Sequence, residues 1–163
     1  MRRTVTLVIA ALLLAACNGK PEVREPDPSD SPTASAAPTM PAQAKEDSDE
    51  GAAAFVAHWI DVFNFAARTG EIEPLTELGP NCEACNNYAK GLQENFEAGD
   101  APEHDLWTFN DLLVGESQDD KIDLQVRVEA EYADGREEHE LGFELERSEH
   151  YEVADIYVIE EDS

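Results

Sequence analysis

Ile122-Asp123-Leu124-Gln125-Val126-Arg127-Val128-Glu129-Ala130-Glu131-Tyr132 is the stretch that decides the fold class. Apolar and polar residues alternate through all of it, the period of a strand with one face buried and one in water. Asp134-Gly135 follows, a two-residue turn signal for a β-hairpin. If Ala133 faces Arg136 across that turn, then Val128 faces Leu141, Val126 faces Phe143 and Leu124 faces Leu145. Apolar then meets apolar at every inward step, as a half-buried hairpin requires. In the same register Glu129 faces Glu140 and Glu131 faces Glu138 on the outward side, and like charges directly opposed destabilise a sheet. Trp107, Thr108 and Phe109 favour an earlier strand within 106–114. A last strand runs from Tyr151 to Ile159. Its apolar parity shifts after Val153, which predicts a bulge near Ala154-Asp155.

Upstream the period becomes helical. Phe55, Trp59, Val62, Phe63, Ala66 and Ala67 share one helix face. Asp47 with Glu50, or Ser48, caps its start and Gly70 ends it. Pro74 to Leu78 makes one further turn, broken by Gly79-Pro80. Asn81 then caps a third helix, stopped by Gly99, with Cys85, Tyr88, Ala89, Leu92 and Phe96 on one face. Helices followed by strands make an α+β domain, N-terminal helices packed on an antiparallel sheet. It spans 51–163, enough chain for one small core.

The N-terminus is of another kind. Arg2 and Arg3 precede an apolar run from Val5 to Ala16 that is too short to span a bilayer, and the run closes on Leu14-Ala15-Ala16-Cys17. The expectation is an export signal over 1–16, cleaved before Cys17, which then carries lipid and anchors the chain on the outer side of the cytoplasmic membrane. Residues 17–50 follow as the lipidated cysteine and a tether. Six of the nine prolines lie there, with hardly a large apolar residue beyond Val23 and Met40, so the tether is expected to be disordered. The formal charge of −26 becomes −28 once Arg2 and Arg3 leave. Such a body is repelled by nucleic-acid phosphate and by anionic lipid headgroups, so nucleic acid is excluded as a partner.

An N-terminal helix beginning Phe55-x-x-x-Trp59, two more helical pieces and a meander of long strands resembles the nuclear transport factor 2-like superfamily. Within 54–85, Asn64-Phe65-Ala66, Thr69-Gly70, Pro74-Leu75 and Cys82-x-x-Cys85 resemble a family of uncharacterised actinobacterial lipoproteins, a domain of unknown function. The resemblance implies a curved sheet wrapped around its helices as a cone, and a bacterial envelope setting. It implies no activity. A cone filled by Trp59, Phe63, Phe96, Val126 and Phe143 would mark an interaction module, and a large interior cavity lined by His or Asp would mark a pocket.

With Cys17 lipidated, Cys82 and Cys85 remain as an even pair in an oxidising compartment. One helical turn apart, they come within roughly 5 to 6 Å between Cα atoms, in disulfide range. Closing so short a loop stabilises by about 2 kcal/mol on the chain-entropy model. A redox-active pair at a helix N-terminus is the sharper alternative, and a zinc site lacks two further ligands. The candidate pocket residues are His58, Trp59, Asn64, Tyr88 and His139, the last with the inward parity of its strand opposite Ala130. Asp61, Asp155 and Tyr151 add polar groups, yet none forms a spaced nucleophile–base motif. No cofactor or resident metal is called for, and no calcium-loop spacing occurs. The expected function is a non-catalytic envelope interaction module that binds an envelope protein or small ligand. The alternative is a cone-pocket enzyme or a binder of an apolar small molecule.

Overall fold

The computed structural model describes residues 36–132 and 135–159. The export signal, Cys17, the first part of the tether, Ala133 and the first expected turn residue, Asp134, lie outside the described residues. Helices α1 (Asp49–Thr69), α2 (Glu73–Glu77) and α3 (Glu83–Ala98) precede strands β1 (Trp107–Gln118), β2 (Lys121–Tyr132), β3 (Gly135–Arg147) and β4 (Tyr151–Val158). The strands form one open antiparallel sheet in chain order, β1-β2-β3-β4. The α+β class and the order of elements are as the periodicities predict. No helix among the described residues is long and apolar enough to cross a membrane.

Ser48 caps α1, its Oγ accepting from the Gly51 amide at 3.0 Å. Asp47 is engaged elsewhere, 2.8 Å from Nε of Arg147 at the end of β3. Gly70 ends the helix in the left-handed region, φ 72°, where a side chain would be strained. α3 is capped by Cys82 rather than Asn81: the Cys85 amide donates to Cys82 Sγ at 3.0 Å. Phe96, expected inside, is 41% exposed. It lies over Gly70 at the far end of α3, where a Cβ on Gly70 would come 2.5 Å from its ring.

Packing begins before the expected boundary at 51. Gln43–Lys45 form one turn of 3-10 helix against α1, and Ala44 is fully buried there. Small residues carry no periodic signal, so this part of the tether reads as disordered although a single methyl closes one end of the core. The approach is close enough that a Cβ on Gly51 would fall 2.0 Å from the Glu46 carbonyl oxygen.

The hairpin register differs from the expected one by two residues. Tyr132 pairs with Gly135, Val128 with His139, Val126 with Leu141, Leu124 with Phe143 and Ile122 with Leu145. A shift of two leaves every side chain on the same face, so apolar matching is satisfied by either register. Charge distinguishes them. In the observed register Arg127 faces Glu140, Glu131 faces Arg136 and Lys121 faces Glu146. Arg136 reaches Glu129 at 3.0 Å and Glu131 at 3.2 Å, and Arg127 reaches Glu138 at 3.4 Å. The expected pairs Glu129–Glu140 and Glu131–Glu138 are thereby replaced. Two like-charged pairs remain: Glu129–Glu138, with an arginine on each member, and Asp123–Glu144, with Lys121 on Glu144. Each exposed ion pair contributes only about 0.2 to 1 kcal/mol, and several acting together select the register.

The bulge falls where the parity change predicts it. Glu144 pairs with Asp155 and Leu145 with Val153, leaving Ala154 as the extra residue. The free edge of β4 is engaged on both sides of the bulge: the Val153 amide donates to the Leu78 carbonyl at 2.9 Å, and the Ile156 amide to Asp155 Oδ1 at 2.9 Å. β1, the other edge, breaks register twice, between Phe109 and Asp111 and between Val114 and Ser117. Occupied amides and bulges both blunt an edge against pairing with another chain.

Two glycines test the packing of α1 and α3. Helix propensity alone favours alanine over glycine by about 0.5 to 1 kcal/mol. Gly91→Ala, with nothing within 4 Å of the added Cβ, should stabilise the domain by that amount. Gly51→Ala should instead destabilise it by about 1 to 3 kcal/mol, because the new methyl meets backbone that cannot move aside. Urea denaturation of both variants reads the two opposite signs.

Candidate functional site

The candidate residues on α1 sit within two turns of one another, and the helix sends them to different neighbours. Trp59 and Phe63, one turn apart, stack with ring centroids at 5.5 Å. Trp107, at the start of β1, stacks on Phe63 at 4.1 Å, and Phe143 of β3 meets Trp59 edge-on at 5.3 Å. Tyr88 of α3 stands edge-on to both Phe63 and Trp107. Trp59, Phe63 and Phe143 are almost wholly buried and Trp107 nearly so. The Trp59 indole N–H has no acceptor among the described residues.

Asn64 is buried beside this cluster. Its Nδ2 donates to the Trp107 carbonyl at 2.7 Å, and its Oδ1 accepts from the Trp107 amide at 2.9 Å. Both hydrogen-bonding ends of the carboxamide are therefore used on backbone. His58 is also buried. Burial holds its imidazole below the ordinary value, with Asp61 acting weakly the other way. Tyr88 is half-buried, and its hydroxyl is pushed above the ordinary value by burial first and by Tyr132 second.

His139 is on the inward face as expected, but opposite Val128 rather than Ala130. It sits beyond the aromatic cluster, partly exposed, with Nε2 3.4 Å from the Tyr132 hydroxyl and 3.6 Å from Glu137. The five candidates thus do not converge on one point. Trp59, Asn64 and Tyr88 gather around Trp107, which sequence reading registers only as a strand former. His139 meets Tyr132 and Glu137 instead.

Cys82 and Cys85 form a disulfide, Cα atoms 5.2 Å apart, and both are fully buried. Gly79 is packed tightly between the disulfide and β4: a Cβ there would lie 3.2 Å from Cys85 Sγ and 2.8 Å from the Val153 carbonyl oxygen. The bond therefore closes the turn that brings Leu78 to the edge of β4. With both sulfurs buried there is no approach for a thiol partner. Among the described residues no group of three or more His, Cys, Asp or Glu side chains is placed to hold a metal ion.

The depressions lie at the surface, and the largest described, of 500 Å³, is a polar one between the β1–β2 and β3–β4 turns, lined by Asp119, Lys121, Arg147 and Glu152 among others. One, of 390 Å³, runs between α3 and β4 and is lined by Ala84, Asn87, Tyr88, Ile156, Tyr157 and Val158. Another, of 340 Å³, lies beside 102–106 with Glu131 and Tyr132. The one between α3 and β4 combines an apolar wall with two phenol hydroxyls and an amide, the usual make-up of a recognition groove. Only Tyr88 among its residues is legible as a candidate from sequence. Tyr157 and Val158 lie just past the parity change, the one signal that marks this end of β4 as irregular.

Three helices on an open four-stranded antiparallel sheet, with an aromatic core and shallow surface grooves, define the class of domain. The chain belongs to the family of unknown function DUF6318, whose profile matches residues 27–151. A solved structure from Catenulispora acidiphila is similar to it at 15% identity, with a TM-score of 0.47, over 67% of this chain and 91% of that one. No curated protein matches the chain.

Two predictions follow from the buried polar residues. Asn64→Ala leaves the Trp107 amide and carbonyl without partners, and a buried unpaired group costs about 1 to 3 kcal/mol. Denaturant unfolding should show a loss of about 2 to 4 kcal/mol, and Asn64→Gln should not restore it, because the longer side chain misplaces both ends. His58, with its folded-state value depressed, contributes stability that is present above about pH 6.5 and is lost as the pH falls, since the unfolded chain then binds the proton first. Thermal unfolding between pH 7.5 and 5 should show a steeper fall for the natural chain than for His58→Gln.

Proposed function

We propose that this chain is a lipid-anchored, extracytoplasmic and non-catalytic interaction module of the bacterial envelope, an actinobacterial lipoprotein with a nuclear transport factor 2-like cone. The observation that carries the reading is the filled interior. Trp59, Phe63, Trp107 and Phe143 stack where an enzyme of this shape keeps room for substrate. Two of the polar candidates are used in other ways: Asn64 holds backbone, and His139 pairs with surface groups. The sequence of the first seventeen residues supports the anchor, with Cys17 as the lipid-bearing residue. The strong negative charge suits a domain kept in solution above an anionic membrane.

A second reading rests on the groove between α3 and β4, whose volume and apolar lining fit a small apolar molecule.

Fractionation with crosslinking tests both. The natural chain, carrying a photoreactive group at position 158, is expected in the membrane fraction of intact bacteria, crosslinked to a second envelope protein. Cys17→Ala is expected in the soluble fraction. A Cys17→Ala chain that stayed with the membrane would remove the anchor. An anchored chain that gave no protein adduct but took up an apolar fluorophore at the groove would favour the second reading.

A further inference from the structure

We propose that the groove between α3 and β4 docks a basic segment of a partner protein, seating an apolar side chain between Tyr88 and Val158 and cationic side chains against the carboxylates around Tyr157. This rests on the interaction-module reading and names the partner's chemistry.

The groove is open and its outer lip is apolar: Tyr157 is 46% and Val158 56% exposed. The Tyr157 ring lies flat over Gly142, its neighbour across the sheet, where a Cβ would come 2.2 Å from it. The missing side chain at Gly142 thus lets an aromatic face spread on the outer surface of the sheet. Asp123, Glu144 and Asp155 pair across the sheet beside that ring, and burial first, with these carboxylates after it, holds the Tyr157 hydroxyl above its ordinary value. Lys121 engages Glu144. Asp123 and Asp155 form no ion pair among the described residues, and a carboxylate that accepts one amide, as Asp155 does, retains further acceptor positions. Lysine or arginine set over the Tyr157 ring would meet both the ring face and these carboxylates.

The mode of contact follows from the edge. Strand addition uses the free amides of an edge strand, and on β4 those of Val153 and Ile156 already have acceptors. Side chains in the groove are left to carry recognition there. The occupant's charge follows from the chain's own. A second copy of the anchored chain would bring −28 against −28, since Arg2 and Arg3 leave with residues 1–16, and an anionic lipid surface would be repelled in the same way. A basic segment is the complementary one, with the carboxylates hastening its approach and the apolar groove prolonging its stay.

The test titrates the full-length protein, in neutral detergent, with three labelled heptapeptides: one alternating lysine with valine and tyrosine, one alternating lysine with serine, and one apolar and uncharged. Saturable binding of the first alone is expected, weakened by salt. Val158→Ser should weaken it about tenfold. Asp155→Asn, which keeps the acceptor for the Ile156 amide, should weaken it at least threefold, and Glu94→Gln on the exposed face of α3 should leave it unchanged. Equal binding of the lysine–serine peptide, with no effect of Val158→Ser, would reduce the interaction to general attraction and overturn the proposal. Equal binding of the uncharged peptide would overturn it in favour of an apolar ligand. If no peptide binds while position 158 still crosslinks to an envelope protein in cells, the basic partner falls and the interaction module stands.

Discussion

The carboxamide of Asn64 bonded to the backbone of Trp107 is the contact on which the arrangement of helices and sheet depends. Trp107 is the first residue of an edge strand that begins inside the core, opposite Ala130 of β2. Its amide and carbonyl turn away from β2, where water cannot reach them, and a buried backbone group without a partner is costly. Asn64 supplies both partners, at 2.9 and 2.7 Å, in the manner of a neighbouring strand. The residue before it, Phe63, stacks on the Trp107 ring at 4.1 Å. One turn of α1 therefore fixes the depth and the rotation of the sheet through a polar and an apolar contact at once. A hydrophobic contact alone leaves such a placement free to slide. The two hydrogen bonds, being directional, do not.

At the opposite end of α1 a looser group of contacts does similar work. The Tyr151 hydroxyl donates to the Ser48 carbonyl at 3.1 Å, Arg147 lies 5.7 Å over the Tyr151 ring, and Arg147 also reaches Asp47. The Tyr151 ring meets Phe55 at 6.0 Å. The helix is thus held at its beginning by the β3–β4 end of the sheet and near its finish by β1. Its central aromatic residues are thereby fixed between the two ends.

The acidic composition has a structural consequence as well as a solubility one. With few cations available, those on the β2–β3 hairpin are shared. Arg136 serves Glu129 and Glu131, Arg127 serves Glu138 and Asp111, and Lys121 serves Glu144 and Glu146. Shared cations select the hairpin register that apolar matching leaves open. Around Tyr157 the carboxylates are served only in part, and there the acidic surface meets an apolar groove beside an edge strand with two amides engaged. Charge, shape and the state of that edge together separate this region from the rest of the outer face.

The α+β class, the β2 strand, the stop at Gly70, the bulge at Ala154 and the Cys82–Cys85 pairing were all legible in the sequence, because each depends on local period, backbone preference or short-range spacing. The register was half legible: parity sets the face of a side chain, and two registers share one parity. The candidate site was less so. Trp59, Asn64 and Tyr88 were recognisable as residues capable of function, but only the tertiary structure brings them to Trp107 and engages Asn64 on its backbone, 43 residues along the chain. Phe96 has the spacing of a core residue and lies at the surface, because its ring meets the helix-ending Gly70 rather than the sheet's apolar face. Ala44 has no spacing signal and is buried, because burial depends on which surface a residue meets. Local chemistry belongs to the sequence alone. Which long-range neighbour satisfies each buried group, and which groove is left open, was decided by the packing of one element on another.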